Sequence, residues 1–375
     1  MPDIEDFDLE RYPKRAKETL QAWDAADTLL LKQLEKGDQT SGPVLIVNDA
    51  WGALSTALAS LRPMTLSDSY LAHAAIRENL KRNRIEPETV KFLTSFDALP
   101  DGVDLLVMKV PKSLALLEDQ LHGIAPHLHD KSTVLAAAMT KHIHLSTIGL
   151  FEKIVGPTRT SLAEKKARLI FCEPDMKLVR PENPWPTTYT LPGHEAVITH
   201  AGVFGGERLD VGTRLLLEHL PRSKGRQRVV DLGCGNGILG VRVAMANPRA
   251  EVTFVDESYR AVASAQATFR ANLGDDREAH FVVGNGLFDL ASGAKLTIGF
   301  DLVLNNPPFH ENHAISDATA WQMFVESRDA LRQGGELWVV GNRHLGYPEK
   351  LKRLFGNCDI IANAPKMVVL RATRT

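Results

Sequence analysis

Three cysteines in 375 residues, Cys172, Cys234 and Cys358, are too scattered and too few to form a disulfide framework or a zinc site. That usage fits a reducing cytoplasm. No apolar run approaches the length of about 20 residues that a membrane-crossing helix needs. The opening residues are acidic (Asp3, Glu5, Asp6, Asp8, Glu10), the opposite of a secretory signal. An excess of either charge is also missing. With 44 Lys and Arg against 46 Asp and Glu the net charge is −2, so any polyanionic partner must be met by local patches. What is present is the composition of a globular chain, 44% hydrophobic and 24% charged, long enough for two or three domains with sizeable cores.

The most informative stretch is Val229-Val-Asp-Leu-Gly-Cys-Gly-Asn-Gly-Ile-Leu-Gly240. A β-branched apolar pair leads to Asp231, glycines fall at 233, 235 and 237, and an apolar helical pattern follows, which predicts a buried strand, a tight turn and a helix. The pattern is D-x-G-x-G-x-G rather than the G-x-G-x-x-G of dinucleotide sites. A carboxylate at the strand tip suits a cationic or hydroxyl-bearing ligand better than a pyrophosphate. The next strand, Glu251-Val-Thr-Phe-Val-Asp256, ends in an acid about twenty residues beyond the glycines. An acid placed there can accept both ribose hydroxyls of a nucleoside.

Along the chain, strands and helices alternate twice, predicting an α/β protein with two parallel sheets. An amphipathic helix is expected from about Ala16 to Leu34, strands at 43–47, up to Asp68, 103–108 and 132–139, and helices between them. In the second half the strands fall at 229–232, 251–256, 280–283, 301–304 and 336–341, with an antiparallel pair at 359–362 and 367–372. The halves match in order. Thr28 to Leu34 parallels Arg214 to Leu220, Val44 to Leu58 parallels Val229 to Val243, Tyr70 to Asn83 parallels Tyr259 to Asn272, and Val103 to Val107 parallels Phe300 to Leu304. Matched segments in one order, with loops of changing length, read as an internal duplication. In the first copy Ile46-Val-Asn-Asp-Ala-Trp-Gly52 replaces the aspartate-and-glycine run, so the ligand chemistry is lost there. We expect a first domain at 1–173, a proline-stiffened connector at 174–192 (Pro174, Pro181, Pro184, Pro186, Pro192) and a second domain at 193–375.

The glycine run with its acid-tipped second strand resembles the S-adenosylmethionine (SAM) site of class I methyltransferases. That resemblance implies two tandem Rossmann-like domains, the first degenerate. It places Gly233, Gly235 and Gly237 along the methionine and ribose, Asp231 at the methionine end and Asp256 on the ribose. It places Asn285 and Gly286, after the third strand, at the adenine, and the stretch with Phe204 and Asp210 beside the cofactor. The fourth strand runs into Asn305-Asn306-Pro307-Pro308-Phe309-His310. The exocyclic amine of a nucleobase is a poor nucleophile because its lone pair is delocalised into the ring. The Asn306 amide oxygen and a backbone carbonyl, that of Pro307, can accept its two N–H groups and localise the pair. Pro307 and Pro308 fix φ and carry no competing N–H, and Phe309 offers a stacking face.

Asn-Pro-Pro-(Phe/Tyr) is shared by adenine-N6, guanine-N2 and protein-glutamine methyltransferases. The longer run 305–314, the run Gly334 to Leu345 and the duplicated organisation resemble the ribosomal RNA guanine-N2 methyltransferases of the RsmC/RlmG group. Further matches at Gly42 to Ser55, Leu162 to Leu169 and Leu351 to Cys358 lie nearest its large-subunit (23S rRNA) branch. Membership implies SAM-dependent methylation of one guanine 2-amino group, with no metal and no membrane. The small-subunit (16S) branch is the main rival. A protein-glutamine methyltransferase and a silent RNA-binding factor are the others. The first domain is then expected to bind RNA through Arg82, Arg84, Lys165 and Lys166, in a monomeric enzyme.

Overall fold

The computed structural model describes residues 3–14, 18–37, 42–206, 208–287, 299–308 and 313–375. Short β-branched runs buried on both sides alternate with helices that each bury one face. The chain accordingly forms two units, Met1–Trp185 and Pro186–Thr375, each built on its own seven-stranded sheet.

In the first unit, helix α1 (Ala25–Leu34) precedes β1 (Val44–Val47), α2 (Ala53–Ala57), β2 (Met64–Leu66), α3 (Tyr70–Arg82) and β3 (Lys91–Leu93). There follow β4 (Val103–Lys109), α4 (Leu114–Ile124), β5 (Leu128–Met139), α5 (Leu145–Ile154), β6 (Thr158–Thr160) and β7 (Ala167–Cys172). The strand order is β3-β2-β1-β4-β5-β7-β6, in which β7 runs antiparallel to both its neighbours and the other strands run parallel. One face buries Leu45, Val47 and Met108 against Leu117, Leu121 and Phe151; the other buries Ile46 and Val107 against Leu30 and Leu54.

The second unit opens with an antiparallel pair, β8 (Thr187–Thr190) and β9 (Ala196–Thr199), followed by α6 (Val211–Glu218). Then come β10 (Gln227–Leu232), α7 (Ile238–Ala246), β11 (Ala250–Asp256), α8 (Tyr259–Leu273), β12 (His280–Val283) and β13 (Phe300–Asn305). It closes with α9 (His313–Ala330), β14 (Leu331–Asn342), α10 (Tyr347–Phe355), β15 (Asp359–Asn363) and β16 (Met367–Thr373). The order β12-β11-β10-β13-β14-β16-β15 repeats that of the first unit strand for strand, with β16 antiparallel to both β14 and β15. Leu216, Val241 and Phe269 cover one face of the sheet, and Phe324, Tyr347 and Leu351 the other. Each such buried side chain stabilises the unit by roughly 1.5–3 kcal/mol. The duplication read in the sequence is thus present in the topology.

Several boundaries differ from the sequence reading. The first helix starts at Ala25, not near Ala16, because Asp24 caps it: its side chain accepts from the Ala26 N–H at 2.8 Å, while the Asp27 carboxylate accepts from the Asp24 N–H. Strands β3 and β6 are three residues each, too short for an alternating pattern to show. Within the proline-rich stretch, the Arg180 guanidinium donates to the Ile154 carbonyl and the Trp185 indole N–H donates to Glu118, whereas Thr187 onward pairs inside the second unit.

Candidate active site

In the second sheet the strand order reverses between β10 and β13, which are parallel neighbours with Leu232 opposite Asn305. Open α/β sheets bind ligands beyond the carboxyl ends of strands at such a switch point. The glycine turn leaves β10 there and Asn306-Pro307-Pro308 leaves β13, so the two motifs are adjacent.

The glycines serve different needs. Gly233, Gly235 and Gly237 all have positive φ, at 68°, 53° and 76°. A Cβ at Gly237 would lie 2.7 Å from Ala265, so this glycine lets α7 pack on α8. A Cβ at Gly235 would meet nothing closer than the Phe204 carbonyl oxygen at 3.9 Å, so this glycine keeps the turn open.

Asp231 lies below the turn, buried. Its Oδ2 accepts from the Gly240 N–H at 2.9 Å, and its Oδ1 is buried without a partner among the described residues. Burial pushes the carboxyl up to about 7; the Asp256 charge adds to the shift and the Gly240 N–H opposes it. A buried, half-satisfied carboxylate is costly unless a ligand completes it. Asp256, at the tip of β11, accepts from the Gly235 N–H through Oδ2 and from the Ser258 N–H through Oδ1, both at 3.0 Å. It braces the turn from the tip of the neighbouring strand.

Two loops wall this edge. Phe204 is 49% exposed on the segment before α6. That segment is held by the Tyr189 hydroxyl, which donates to the Gly205 carbonyl, and the Asn236 amide N–H reaches the same hydroxyl at 3.5 Å. On the other side the Glu326 carboxylate of α9 accepts from the Leu287 N–H at 2.8 Å, and a Cβ at Gly286 (φ 58°) would overlap it. Asn285 and Gly286 therefore sit in a turn pinned from α9. Met323, a helical turn before Glu326, closes on Gly233, where a Cβ would lie 3.1 Å from its methyl.

The Asn305 amide N–H donates to the Leu232 carbonyl at 2.8 Å, tying β13 to β10 at their tips. The Asn306 amide nitrogen donates to Thr213 Oγ1 at 2.9 Å and reaches Asp210 Oδ2 at 3.4 Å. Asp210 is the N-cap of α6 and accepts from the Thr213 N–H at 3.0 Å. A carboxylate only accepts, so it dictates which end of the amide faces it, and Asn306 Oδ1 is left buried with no partner among the described residues. Asp210 and Asn306 were separate in the sequence reading; the structure joins them through Thr213, which that reading did not single out. Pro307 is buried and Pro308 exposed; Phe309 lies outside the described residues.

The first unit fills the same edge with its own side chains. At the tip of β4, Lys109 stands where Asn306 follows β13, and Asp24 and Asp27 of α1 stand where Asp210 and Thr213 do. The Lys109 ammonium pairs with Asp24 at 2.8 Å and with buried Asp27 at 2.7 Å. Burial pushes Asp27 up to about 6 despite Lys109. Asn48, in the place of Gly233, donates to the Lys109 carbonyl and exchanges hydrogen bonds with Gln120. Ser67 stands in register with Asp256, so the acid is absent from that position in the first unit. Of the predicted RNA contacts, the Arg82 guanidinium is clamped by Asp8 at 2.6 Å and Glu10 at 3.2 Å, while Arg84, Lys165 and Lys166 are exposed.

A seven-stranded doubly wound sheet, a glycine turn with its two acids, and an Asn-Pro-Pro segment at the switch point together define a class I methyltransferase. Family models agree: the RLMG N-terminal domain matches residues 2–176 and the Methyltransferase small domain matches residues 194–371. The ribosomal RNA large subunit methyltransferase G of Streptomyces avermitilis is 55% identical, with 98% of this chain and 97% of that protein covered. Its counterpart in Aeromonas salmonicida is 47% identical, with 98% and 96% covered. The chain belongs to the ribosomal RNA large subunit methyltransferase G family. Among solved structures, the T. thermophilus 16S rRNA N2 G1207 methyltransferase (RsmC) in complex with AdoMet and guanosine has the same fold. Its TM-score is 0.73 at 21% identity, over 94% of this chain and 92% of that one.

Proposed function

We propose that this protein transfers a methyl group from SAM to the exocyclic 2-amino group of one guanine in large-subunit (23S) ribosomal RNA. The observation that carries the reading is Asn306. Its amide nitrogen is held by Thr213 and Asp210, which leaves Oδ1, without a partner among the described residues, as an acceptor on the strand tip next to the glycine turn.

The residues present fit the cofactor. Buried Asp231 has an oxygen with no partner among the described residues, suited to a cationic ammonium, Asp256 stands at the tip of β11 against the turn, suited to ribose hydroxyls, and the open turn at Gly235 admits a close ligand. Gly233, Gly235 and Gly237 line the methionine and ribose, Asn285 and Gly286 the adenine, with Phe204 over the edge. When bound, SAM supplies a methyl group on a positively charged sulfur. Asn306 Oδ1 and the Pro307 carbonyl accept the two N–H groups of the amine and turn its lone pair out of the ring plane. Pro307 and Pro308 hold that acceptor pair rigid, and Phe309 stacks on the base. No side chain needs to act as a strong base, because the proton lost on methylation passes readily to solvent. A guanine in structured RNA must first be turned out of its stack to reach these groups.

Thr213 and Asp210 act through Asn306 as positioning residues. The first unit, its own pocket filled, holds RNA, with Lys165 and Lys166 better placed than Arg82, whose charge is met by Asp8 and Glu10. The enzyme works as a monomer in the cytoplasm, where ribosomal RNA is made. Steady-state kinetics with calorimetric SAM titration tests the site. Asn306→Ala should lower kcat by about 10²-fold or more, the scale of losing a positioned acceptor, with SAM affinity within about twofold. Equal loss of both would assign Asn306 to cofactor binding instead.

A further inference from the structure

In the second unit, chemistry sits at the carboxyl edge of the sheet. The first unit retains that edge without the pocket; Asp68 and Asp97 follow β2 and β3, while the side chains beyond β4, β5 and β6 are mostly basic. Lys112 follows β4, three residues after Lys109, in the place that Phe309 takes after Asn306. Lys141, His142 and His144 follow β5, and the turn between β6 and β7 carries Lys165 and Lys166. These are one surface, because the Thr140 N–H donates to the Lys166 carbonyl at 2.8 Å and Met139 pairs with Ala167. After its partial burial, the charges of Lys141, Lys112 and His144 hold His142 below its ordinary value, against an opposing pull from Asp24. The nearest acid on the turn, Glu164, is matched by Lys32 at 2.8 Å. Asp24 and Asp27 share the single Lys109 ammonium, a cluster with one net negative charge when both are ionised. Lys112, Lys141, Lys165 and Lys166 are exposed and form no ion pair with a described residue.

Four unmatched cations on one edge repel one another unless something anionic is shared between them. Beside them Leu162 is 90% and Leu145 93% exposed, apolar surface that a ribose or base face can cover. A backbone with a phosphate every few ångströms and apolar faces between them matches this alternation.

We propose that the first unit binds the sugar-phosphate backbone of ribosomal RNA along the carboxyl edge of its sheet, through Lys112, Lys141, Lys165 and Lys166, the edge that in the second unit holds the reacting base. The abandoned pocket has become a phosphate-binding rim around a buried lysine plug. This rests on the reading of the protein as an RNA enzyme.

The test uses the full chain and deproteinised 23S ribosomal RNA, with binding followed by fluorescence anisotropy at several salt concentrations. Each lost phosphate contact lowers the slope of log K against log salt by about 0.7–0.9. The triple variant Lys112→Glu, Lys141→Glu and Lys166→Glu should therefore bind at least tenfold more weakly near 0.1 M salt, with a slope smaller by about two, while calorimetric SAM affinity stays as in the parent. If the reversals lower the melting temperature, the neutral set Lys112→Gln, Lys141→Gln and Lys166→Gln should give a smaller loss in the same direction. Parental affinity and slope in both sets, with RNA still methylated, would overturn this surface and leave the enzyme reading intact. A parent protein that neither binds nor methylates the RNA would overturn both.

Discussion

At the scale of single residues, the account turns on three polar atoms. Thr213 Oγ1 accepts from Asn306, and removing it lets the amide turn or relax. Thr213→Val should lower kcat about tenfold to a hundredfold, with SAM affinity unchanged and partial rescue by Thr213→Ser; a loss of SAM affinity instead would make Thr213 a cofactor residue. Asp231 makes a pH prediction. Its carboxyl is raised to about 7, and a cationic ligand prefers the ionised form, so binding releases a proton and affinity rises with pH below that value. SAM affinity measured by calorimetry should climb roughly tenfold per pH unit up to about 7 and then level off, and Asp231→Asn should flatten the profile. A profile equally steep in the variant would place the titrating group elsewhere. Asp231 and Asn306 could be read in the sequence because each sits inside a motif at a fixed offset from glycine or proline. Thr213 could not, since it acts on a side chain 93 positions away. Glu326 and Met323 stayed hidden for the same reason: helix α9 reads as an ordinary amphipathic helix, and only the fold brings it against Gly286 and Gly233.

At the scale of elements, the switch point needs α7 to leave β10 steeply and pack closely on α8. Gly237 makes this possible, with φ 76° and no room for a Cβ beside Ala265. Gly237→Ala should destabilise the second unit by about 2–3 kcal/mol, combining left-handed strain with overpacking. The corresponding fall in Tm is about 4–12 °C for a unit of this size. An unchanged melting curve would show that the turn can open without cost. Most elements were legible from buried β-branched runs, whereas the Asp24 cap was not, which is why the first helix was expected from about Ala16. The strands missed include β7 as well as β3 and β6, and the two short ones are held by their neighbours in the sheet rather than by any local pattern.

At the scale of the molecule, duplication has produced two sheets of one topology with different tip chemistry. In the first, Lys109 and two aspartates form an ion-pair plug where the second unit has the Asn306 amide. Lys109→Met would leave Asp24 and buried Asp27 facing each other. It should destabilise the first unit by about 3 kcal/mol, read by thermal melting, while SAM still binds at one site per chain with parental affinity. A changed SAM stoichiometry would give the first unit a ligand role that the plug rules out. The sequence showed that this copy had lost its glycines, but not what replaced them, because an ion pair between residues 24, 27 and 109 leaves no motif.

The central claim is that the second unit methylates the 2-amino group of guanine in the large-subunit RNA. Purified protein, methyl-labelled SAM and total ribosomal RNA, followed by separation of the subunit RNAs and nucleoside mass spectrometry, tests it directly. The account expects label in N2-methylguanosine from 23S RNA, abolished by Asn306→Ala. Label in N6-methyladenosine, in 16S RNA or in protein would contradict it.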